Sequence, residues 1–234
     1  MIKGYINSIQ TLGTLDGPGV RFVVFTQGCN LRCHCCHNPE TWEYNVGDTF
    51  SPDEIVKKAE GYRSYFGDKG GITFSGGEPL LQPEFVFETF KLCKEKGINT
   101  CIDTSGSIIN DDVKKMLSVT DRVLLDIKYT DEESYKKYVG CSFAKIIEFL
   151  DLLQENNIPT TIRQVVIPTK NDTDENFKKL KSIVDSHSCV DKVELLPFKK
   201  ICVTKYEASE KKFPFEDVRT PTHDEMLKFQ RYFN

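Results

Sequence analysis

Residues 28–40, with the sequence GCNLRCHCCHNPE, constrain this chain most because they hold four of its nine cysteines. The segment follows an apolar run at 21–25, which predicts a strand. Thiols gathered at the end of a strand indicate a metal site. The C-x3-C-x2-C spacing of Cys29, Cys33 and Cys36 lets one short loop present three thiolates to three irons of one cluster. The fourth iron then lacks a protein ligand, and an open position is typical of catalytic metal sites.

Other uses of these thiols stay open. Cys35 can in principle replace Cys36 as a ligand. Disulfides fit poorly, because adjacent cysteines pair badly and one loop cannot easily hold two bridges with the required geometry. A structural zinc loop also fits poorly, because no second C-x2-C or H-x3-H half follows to complete four ligands.

Composition places the chain in the soluble globular class. Its 234 residues suffice for one substantial core, and we expect a single domain over residues 1–234. The net charge of -4 does not favour nucleic acid, and no stretch approaches the roughly 20 apolar residues that span a bilayer. Without a signal peptide, the cysteines are expected to stay reduced in a cytosol. We therefore expect a cytoplasmic monomer with no nucleic-acid or membrane partner.

Strand and helix patterns alternate along the chain. Strands are predicted at 21–27, 71–74, 98–103, 122–128, 160–167 and 193–196. Helices are predicted at 51–66, 83–96, 110–119, 172–186 and 222–233, with two more across 131–156. Residues 3–12 and a turn at 16–19 predict a hairpin before the first core strand. About six βα units with a parallel sheet follow, and the pattern alone leaves a doubly wound sheet open.

Polar residues follow the predicted strands, where ligands bind in parallel α/β folds. Gly76 and Gly77 stand in SGGEP (75–79), which by itself predicts only a turn. Asp103 and Asp126 end neighbouring strands and are either loop formers or oxygen ligands for a hard cation. Lys128 and Arg163 are either solvated charges or fixed cations that stabilise an anionic ligand.

The cysteine loop resembles that of the radical S-adenosylmethionine enzymes. The resemblance implies a 4Fe-4S cluster on Cys29, Cys33 and Cys36, whose open iron chelates the amino and carboxylate groups of S-adenosylmethionine. It also implies a partial (β/α)6 TIM-like barrel with an N-terminal hairpin extension. Relatives usually have an aromatic residue at the position of Cys35, whose backbone contacts adenine.

The same resemblance implies the remaining site residues. Cofactor contacts are expected at Cys35, Cys36, His37, Gly76, Gly77, Glu78, Asp126, Ile127, Lys128, Arg163 and Lys199. A monovalent cation is expected at Asp103, Thr104, the backbone carbonyl of Leu124, and Asp126. Relatives have a ribose-contacting His where this chain has Lys199, and a Gly where it has Cys202. No catalytic side chain beyond the cluster and cofactor is implied.

Three segments together resemble the glycyl radical enzyme activating enzymes. They are TLDGPGVR at 14–21, HNPETW at 37–42 and SGGEP at 75–79. The resemblance implies that a hydrogen is taken from a glycine alpha carbon of a partner, a glycyl radical enzyme. It also implies a flavodoxin or ferredoxin-type electron donor. Asp16 is the candidate contact with the partner's glycine segment, and its alternative is a pure turn role.

Two other functions stay in view. The first is a radical S-adenosylmethionine enzyme that acts on a small molecule such as a deazapurine precursor. The second is a zinc-stabilised binding module, which would bind zinc and neither iron nor the cofactor.

Overall fold

The computed structural model describes residues 2–234, which alternate between strands and helices. The strands are β1 (Gly4–Gly13), β2 (Arg21–Thr26), β3 (Asp48–Phe50), β4 (Gly71–Gly76), β5 (Asn99–Thr104), β6 (Arg122–Asp126), β7 (Thr160–Val166) and β8 (Val190–Pro197). The helices are α1 (Pro52–Glu60), α2 (Arg63–Phe66), α3 (Pro83–Glu95), α4 (Asp111–Leu117), α5 (Glu132–Tyr138), α6 (Phe143–Glu155), α7 (Asp174–Ser186), α8 (Val203–Ala208) and α9 (His223–Gln230). The strands form one sheet in the order β3-β1-β2-β4-β5-β6-β7-β8.

The first of two compact units comprises the chain up to residue 30 together with residues 41–124. In it, β1 is antiparallel to β2, with Gly13 opposite Arg21, and β2, β4 and β5 are parallel to one another. The antiparallel pair confirms the predicted N-terminal hairpin. The aromatic ring of Phe74 on β4 packs edge-on against Phe85 and Phe90 of α3, so α3 covers this part of the sheet.

Local signals set the helix starts. Ser51 caps α1 through a capping box with Glu54, and Pro52 occupies the first helical turn. The predicted helix over 51–66 is nevertheless two helices. The backbone N–H of Gly61 donates to the Lys58 carbonyl, which closes the first helix before α2 begins. The Tyr62 N–H likewise reaches only three residues back, to the Ala59 carbonyl at 2.9 Å. The prediction was wrong there because this short turn leaves no mark in the hydrophobic pattern.

The second unit comprises residues 31–40 and 125–234. Its β7 and β8 are parallel, and Thr160 pairs with Val190 at their start. This pairing explains why β8 begins three residues before the predicted strand. Phe177 of α7 stacks on Phe229 of α9 with ring centroids 4.2 Å apart, so the last helix is held by aromatic packing.

Two short elements were not predicted, β3 and α8. The three residues of β3 pair only with β1 at the sheet edge, and α8 has six residues and one buried aromatic side chain, Tyr206. Such pieces carry too little periodicity to be read from sequence. Within residues 2–234, no helix is long and apolar enough to cross a bilayer. The single-domain expectation stays a prediction.

Candidate functional site

The first half of the cysteine loop is fixed to the end of α5. The backbone N–H of Arg32 donates to the Val139 carbonyl at 3.3 Å, and that of His34 donates to the Tyr138 carbonyl at 2.9 Å. The His34 ring also lies edge-on to the Tyr138 ring, with centroids 5.4 Å apart. The two anchors flank Cys33, which is half-buried. The position of this thiol is therefore set by backbone contacts on both sides.

The second half of the loop is held by α8. The Tyr206 hydroxyl donates to the Cys36 carbonyl at 3.3 Å. The Lys205 ammonium donates to Asn38 Oδ1 at 2.8 Å and pairs with Glu40 Oε1 at 2.5 Å. These contacts gave no signal in the sequence, because α8 lies about 165 residues further along the chain.

His37 is held through the backbone of Lys199. Its Nε2 lies 2.9 Å from the Lys199 carbonyl, and because a carbonyl only accepts, Nε2 carries the proton. Burial lowers the pKa of His37, which favours this neutral ring. The Lys199 side chain is exposed. The cofactor contacts expected at both residues stay predictions.

The loop thiols differ in burial. Cys29 of the first unit and Cys35 of the second are buried, whereas Cys33 and Cys36 are half-buried, and none forms a disulfide. Burial raises the pKa of the Cys35 thiol to about 11, so this thiol is neutral near pH 7. Across residues 2–234, no three His, Cys, Asp or Glu side chains are already gathered around a metal position.

A buried phenol next to these thiols indicates what the loop can hold. Tyr129 is 1% exposed, and its hydroxyl has no hydrogen-bond partner among the residues that the structure describes. Burial, then the neighbouring side chains of Cys35, Tyr138 and Cys33, raise the pKa of this hydroxyl. An unpaired buried donor is costly, and a thiolate or sulfide sulfur would accept its hydrogen bond. Cysteine thiolates are also the ligands of iron–sulfur clusters. The donor set therefore fits such a cluster.

A lysine–aspartate pair follows β6. Lys128 Nζ lies 2.7 Å from Asp126 Oδ2, and 15% of the lysine side chain is exposed. Burial alone would lower the pKa of Lys128, but the Asp126 carboxylate, followed by the neighbouring side chains of Cys33 and Cys35, raises it well above its usual range. This fixed cation therefore lies within electrostatic reach of the cysteine loop.

Arg163 and Ile127 belong to the same region of the second unit. Arg163 Nε lies 3.8 Å from Glu194 Oε2. The Ile127 N–H donates to the Arg163 carbonyl at 2.9 Å, and the Ile127 carbonyl accepts from Gln164 Nε2 at 2.9 Å. Both backbone groups of Ile127 therefore have partners on β7, one a backbone carbonyl and one a side-chain amide. Its expected cofactor contact stays a prediction.

Glu78 organises the strand ends of the first unit. Its carboxylate is 1% exposed and accepts from the Thr104 hydroxyl at 2.5 Å, the Ser105 N–H at 3.0 Å and the Leu80 N–H at 3.1 Å. Burial raises the pKa of Glu78 despite these bonds. The side chain therefore shapes the loop after β5. Sequence reasoning missed Ser105, whose neighbours gave no sign of this bond.

The oxygens expected to bind a cation have protein partners. Asp103 Oδ2 accepts from the Ser75 hydroxyl at 2.9 Å. The Thr104 hydroxyl donates to Glu78 and accepts from the Gly106 N–H at 3.0 Å. Leu124 ends the first unit, and Asp126 belongs to the second. The cation site stays a prediction.

Close approach of neighbouring backbone segments explains why residues 76 and 77 are both glycine. Gly76 has φ +108°, and a Cβ there would lie 2.4 Å from the Thr26 nitrogen. A Cβ on Gly77 would lie 2.1 Å from the Gly28 carbonyl oxygen and 3.1 Å from that of Thr41. Only glycine lets β4 approach the start of the cysteine segment this closely. The cofactor contacts of both glycines stay predictions.

Replacing Gly77 with alanine is expected to destabilise the fold. The new methyl group must displace the Gly28 carbonyl, which accepts the Glu78 N–H at 2.8 Å. We expect a loss of about 1–3 kcal/mol, measured by thermal unfolding. Gly61→Ala is the matched control. Gly61 has a helical φ of -59°, and a Cβ added there would lie no closer than 3.3 Å to its nearest neighbour, the Lys58 carbonyl oxygen. Equal unfolding temperatures for the two variants would contradict the packing argument.

Asp16 lies in the turn between β1 and β2. Its carbonyl accepts from the Thr73 hydroxyl at 2.7 Å, and that hydroxyl also accepts from Arg21 Nε at 2.9 Å. The turn precedes β2, whereas Cys29 follows the other end of that strand. The contact of Asp16 with a partner protein stays a prediction.

Comparison with known proteins identifies the class. Residues 23–180 match the Radical SAM superfamily. The structure of a radical SAM methyltransferase from Sphaerobacter thermophilus superposes with a TM-score of 0.66 at 16% identity, over 91% of this chain and 63% of that one. The structure of Streptococcus suis SuiB bound to precursor peptide SuiA superposes with a TM-score of 0.70 at 15% identity, over 90% of this chain and 44% of that one. The expected α/β fold, a partial (β/α)6 barrel with an N-terminal hairpin, is confirmed.

Full-length relatives narrow the class. The chain is 42% identical to the pyruvate formate-lyase-activating enzyme of Clostridium pasteurianum, over 99% of this chain and 98% of that protein. It is 39% identical to the enzyme of that name from Listeria monocytogenes, over 95% of this chain and 93% of that protein. The chain belongs to the family of pyruvate formate-lyase-activating enzymes within the radical SAM superfamily.

Proposed function

We propose that the chain activates a glycyl radical enzyme, pyruvate formate-lyase. It would do so by reductive cleavage of S-adenosylmethionine and abstraction of a hydrogen from a glycine alpha carbon of that partner. The observation that carries the proposal is 42% identity, over nearly the whole length of both chains, to a relative named for this activity. The segments at 14–21, 37–42 and 75–79 support it.

Cys29, Cys33 and Cys36 would hold the 4Fe-4S cluster. When bound, the cluster supplies one electron to the sulfonium of S-adenosylmethionine at its open iron. The protein chain contributes by fixing the conformation of the cysteine loop. The α5 contacts of His34 and the α8 contact at the Cys36 carbonyl bind backbone groups of the loop. The Asn38 N–H also donates to Cys36 Sγ at 3.4 Å, a bond that a ligating thiolate can keep accepting.

The cofactor's charged end would lie near fixed charges of the chain. Lys128 and Arg163 carry positive charge on residues with little exposure, which suits a carboxylate that has left water. Glu78 holds the loop at Thr104 and Ser105, so the backbone of SGGEP keeps one conformation. The monovalent cation would add positive charge at Asp103, Thr104, Leu124 and Asp126.

The partner must present its glycine as an extended segment, because a backbone alpha hydrogen is otherwise out of reach. Asp16 is the proposed contact with that segment. The Thr73 hydroxyl donates to the Asp16 carbonyl and the Arg21 guanidinium donates to the Pro18 carbonyl, so both side chains fix the backbone of this turn. The chain would work as a cytoplasmic, single-domain monomer that receives electrons from a flavodoxin or ferredoxin-type protein.

Electron paramagnetic resonance tests the proposal. Reduced, reconstituted protein is mixed with S-adenosylmethionine and pyruvate formate-lyase, and a glycine-centred doublet is the expected result. A pyruvate formate-lyase whose target glycine is replaced by alanine is the control, and it should give no doublet while cofactor cleavage continues.

Two outcomes would support the other functions instead. Cofactor cleavage stimulated by a small molecule, with no doublet from the partner protein, would favour a small-molecule radical enzyme. A colourless protein that binds zinc, with no iron and no cofactor cleavage, would favour a zinc-stabilised module.

A further inference from the structure

Three cationic side chains lie near the first half of the cysteine loop. We call these three residues, Arg32, Lys137 and Lys170, the cationic rim. Arg32 precedes Cys33 and is exposed, as is Lys137 near the end of α5. Lys170 Nζ lies 5.7 Å from the ring centroids of both Tyr138 and Phe215.

The rim is placed against the loop by a shared aromatic surface. The His34 ring lies 5.4 Å from the centroids of the same two rings, Tyr138 and Phe215. Lys137 Nζ lies 5.1 Å from the Tyr138 centroid. His34 and Lys170 therefore contact the same two rings, and Lys137 contacts one of them. His34 is the residue after the half-buried Cys33.

The local charge is positive where the chain as a whole is negative. Lys137 and Lys170 have no carboxylate partner within residues 2–234, unlike Lys136, which pairs with Glu132 at 3.2 Å. The net charge of the chain is -4, so the chain as a whole does not attract an acidic protein, whereas the rim does.

We propose that the cationic rim is the docking surface for an acidic one-electron carrier protein, which delivers its electron beside Cys33. The inference rests on the proposed function, because it requires a redox group on the loop thiolates. One electron leaves the carrier's reduced group, which is oxidised, and enters the group held by the thiolates, which is reduced. No bond is made or broken in this step.

A small, charge-guided surface suits such a carrier. Electron-transfer encounters bury little area and must release the carrier after each turnover. Complementary charges raise the association rate more than the final affinity. The exposed Arg32 and Lys137 and the half-buried Lys170 meet both needs, since they attract the carrier without a deep apolar interface.

Charge reversal tests the rim. The variant Lys137→Glu with Lys170→Glu is compared with Lys145→Glu and Lys178→Glu, two exposed lysines of the same unit that also lack an ion pair among the described residues. Reduction by a purified, reduced flavodoxin is followed by anaerobic stopped flow. We expect the rim variant to lose about tenfold in second-order rate at low ionic strength, and the control to lose much less. The difference should shrink as salt screens the charges.

A second reductant separates the two proposals. Photoreduced deazaflavin is a small molecule that needs no docking surface, so it should reduce the rim variant and the wild type equally, with equal cofactor cleavage. If it does, and flavodoxin reduces the rim and control variants at one rate, the rim proposal is wrong and the proposed function stands. If deazaflavin finds no reducible group in the wild type, the proposed function fails and the rim proposal with it.

Discussion

Replacing Cys33 or Cys36 with alanine is expected to abolish both iron binding and cleavage of S-adenosylmethionine. Each change removes one of three proposed thiolate ligands, and a cluster bound by two thiolates on one short loop is poorly retained. Changes that only touch a ligand's neighbours already cost roughly 10–100-fold, so loss of a ligand should exceed that. Iron and sulfide content after anaerobic reconstitution, together with the yield of 5'-deoxyadenosine, measures the effect. Cys29→Ala should behave in the same way.

Cys35→Ala is the matched control, because the residue is one position from Cys36 and its thiol is buried with a pKa of about 11. We expect this variant to keep its iron and to cleave the cofactor. Loss of the cluster in Cys35→Ala with retention in Cys36→Ala would show that Cys35 is the third ligand. Circular dichroism of each variant separates loss of a ligand from loss of fold.

Helix starts were predictable because their signals are local. Ser51, Asn110 and Thr222 each accept a hydrogen bond from the backbone N–H three residues ahead, as their side chains allow. Strand positions were predictable from apolar runs. The break before α2 was not predictable, because a local turn at Gly61 makes it without a change in the hydrophobic pattern. The start of β8 and the existence of α8 were not predictable either, because partners distant in sequence decide them.

In the candidate site, too, the features that are local in sequence were predictable and the long-range contacts were not. The cysteine spacing and the SGGEP segment are contiguous, so residues such as Cys33 and Gly77 were found directly. The contacts that position these residues were not predicted from the sequence. Lys205 reaches Glu40 across about 165 residues, and Glu78 meets Ser105 across 27. Tyr129 was also missed, because nothing in its sequence neighbourhood shows that its hydroxyl lacks a partner.

Arg21→Met is expected to destabilise the protein by about 3–5 kcal/mol. Arg21 opens β2 and is 0% exposed, and its guanidinium donates to Thr73 Oγ1 at 2.9 Å and Asn99 Oδ1 at 2.8 Å. It also donates to backbone carbonyls, those of Pro18, Lys69, Ile72 and Asn99. Methionine fills similar space but donates nothing, so several buried acceptors lose their partner. Burial lowers the pKa of Arg21, which reflects the cost of holding this cation away from water.

Arg63→Met on α2 is the control, because Arg63 is exposed and its guanidinium donates to the Lys96 carbonyl at 2.6 Å. We expect its unfolding free energy to stay within about 0.5 kcal/mol of the wild type, whereas the melting temperature of Arg21→Met should fall by roughly 10 °C. Arg21→Lys should recover little, since an ammonium cannot reproduce the forked donors.

Because Arg21 and Thr73 hold the turn at Asp16, amide hydrogen exchange at 14–20 should quicken in Arg21→Met under conditions where the rest of β2 stays protected. Unchanged exchange in that turn would show that the guanidinium stabilises the sheet alone and leaves the proposed partner contact unaffected.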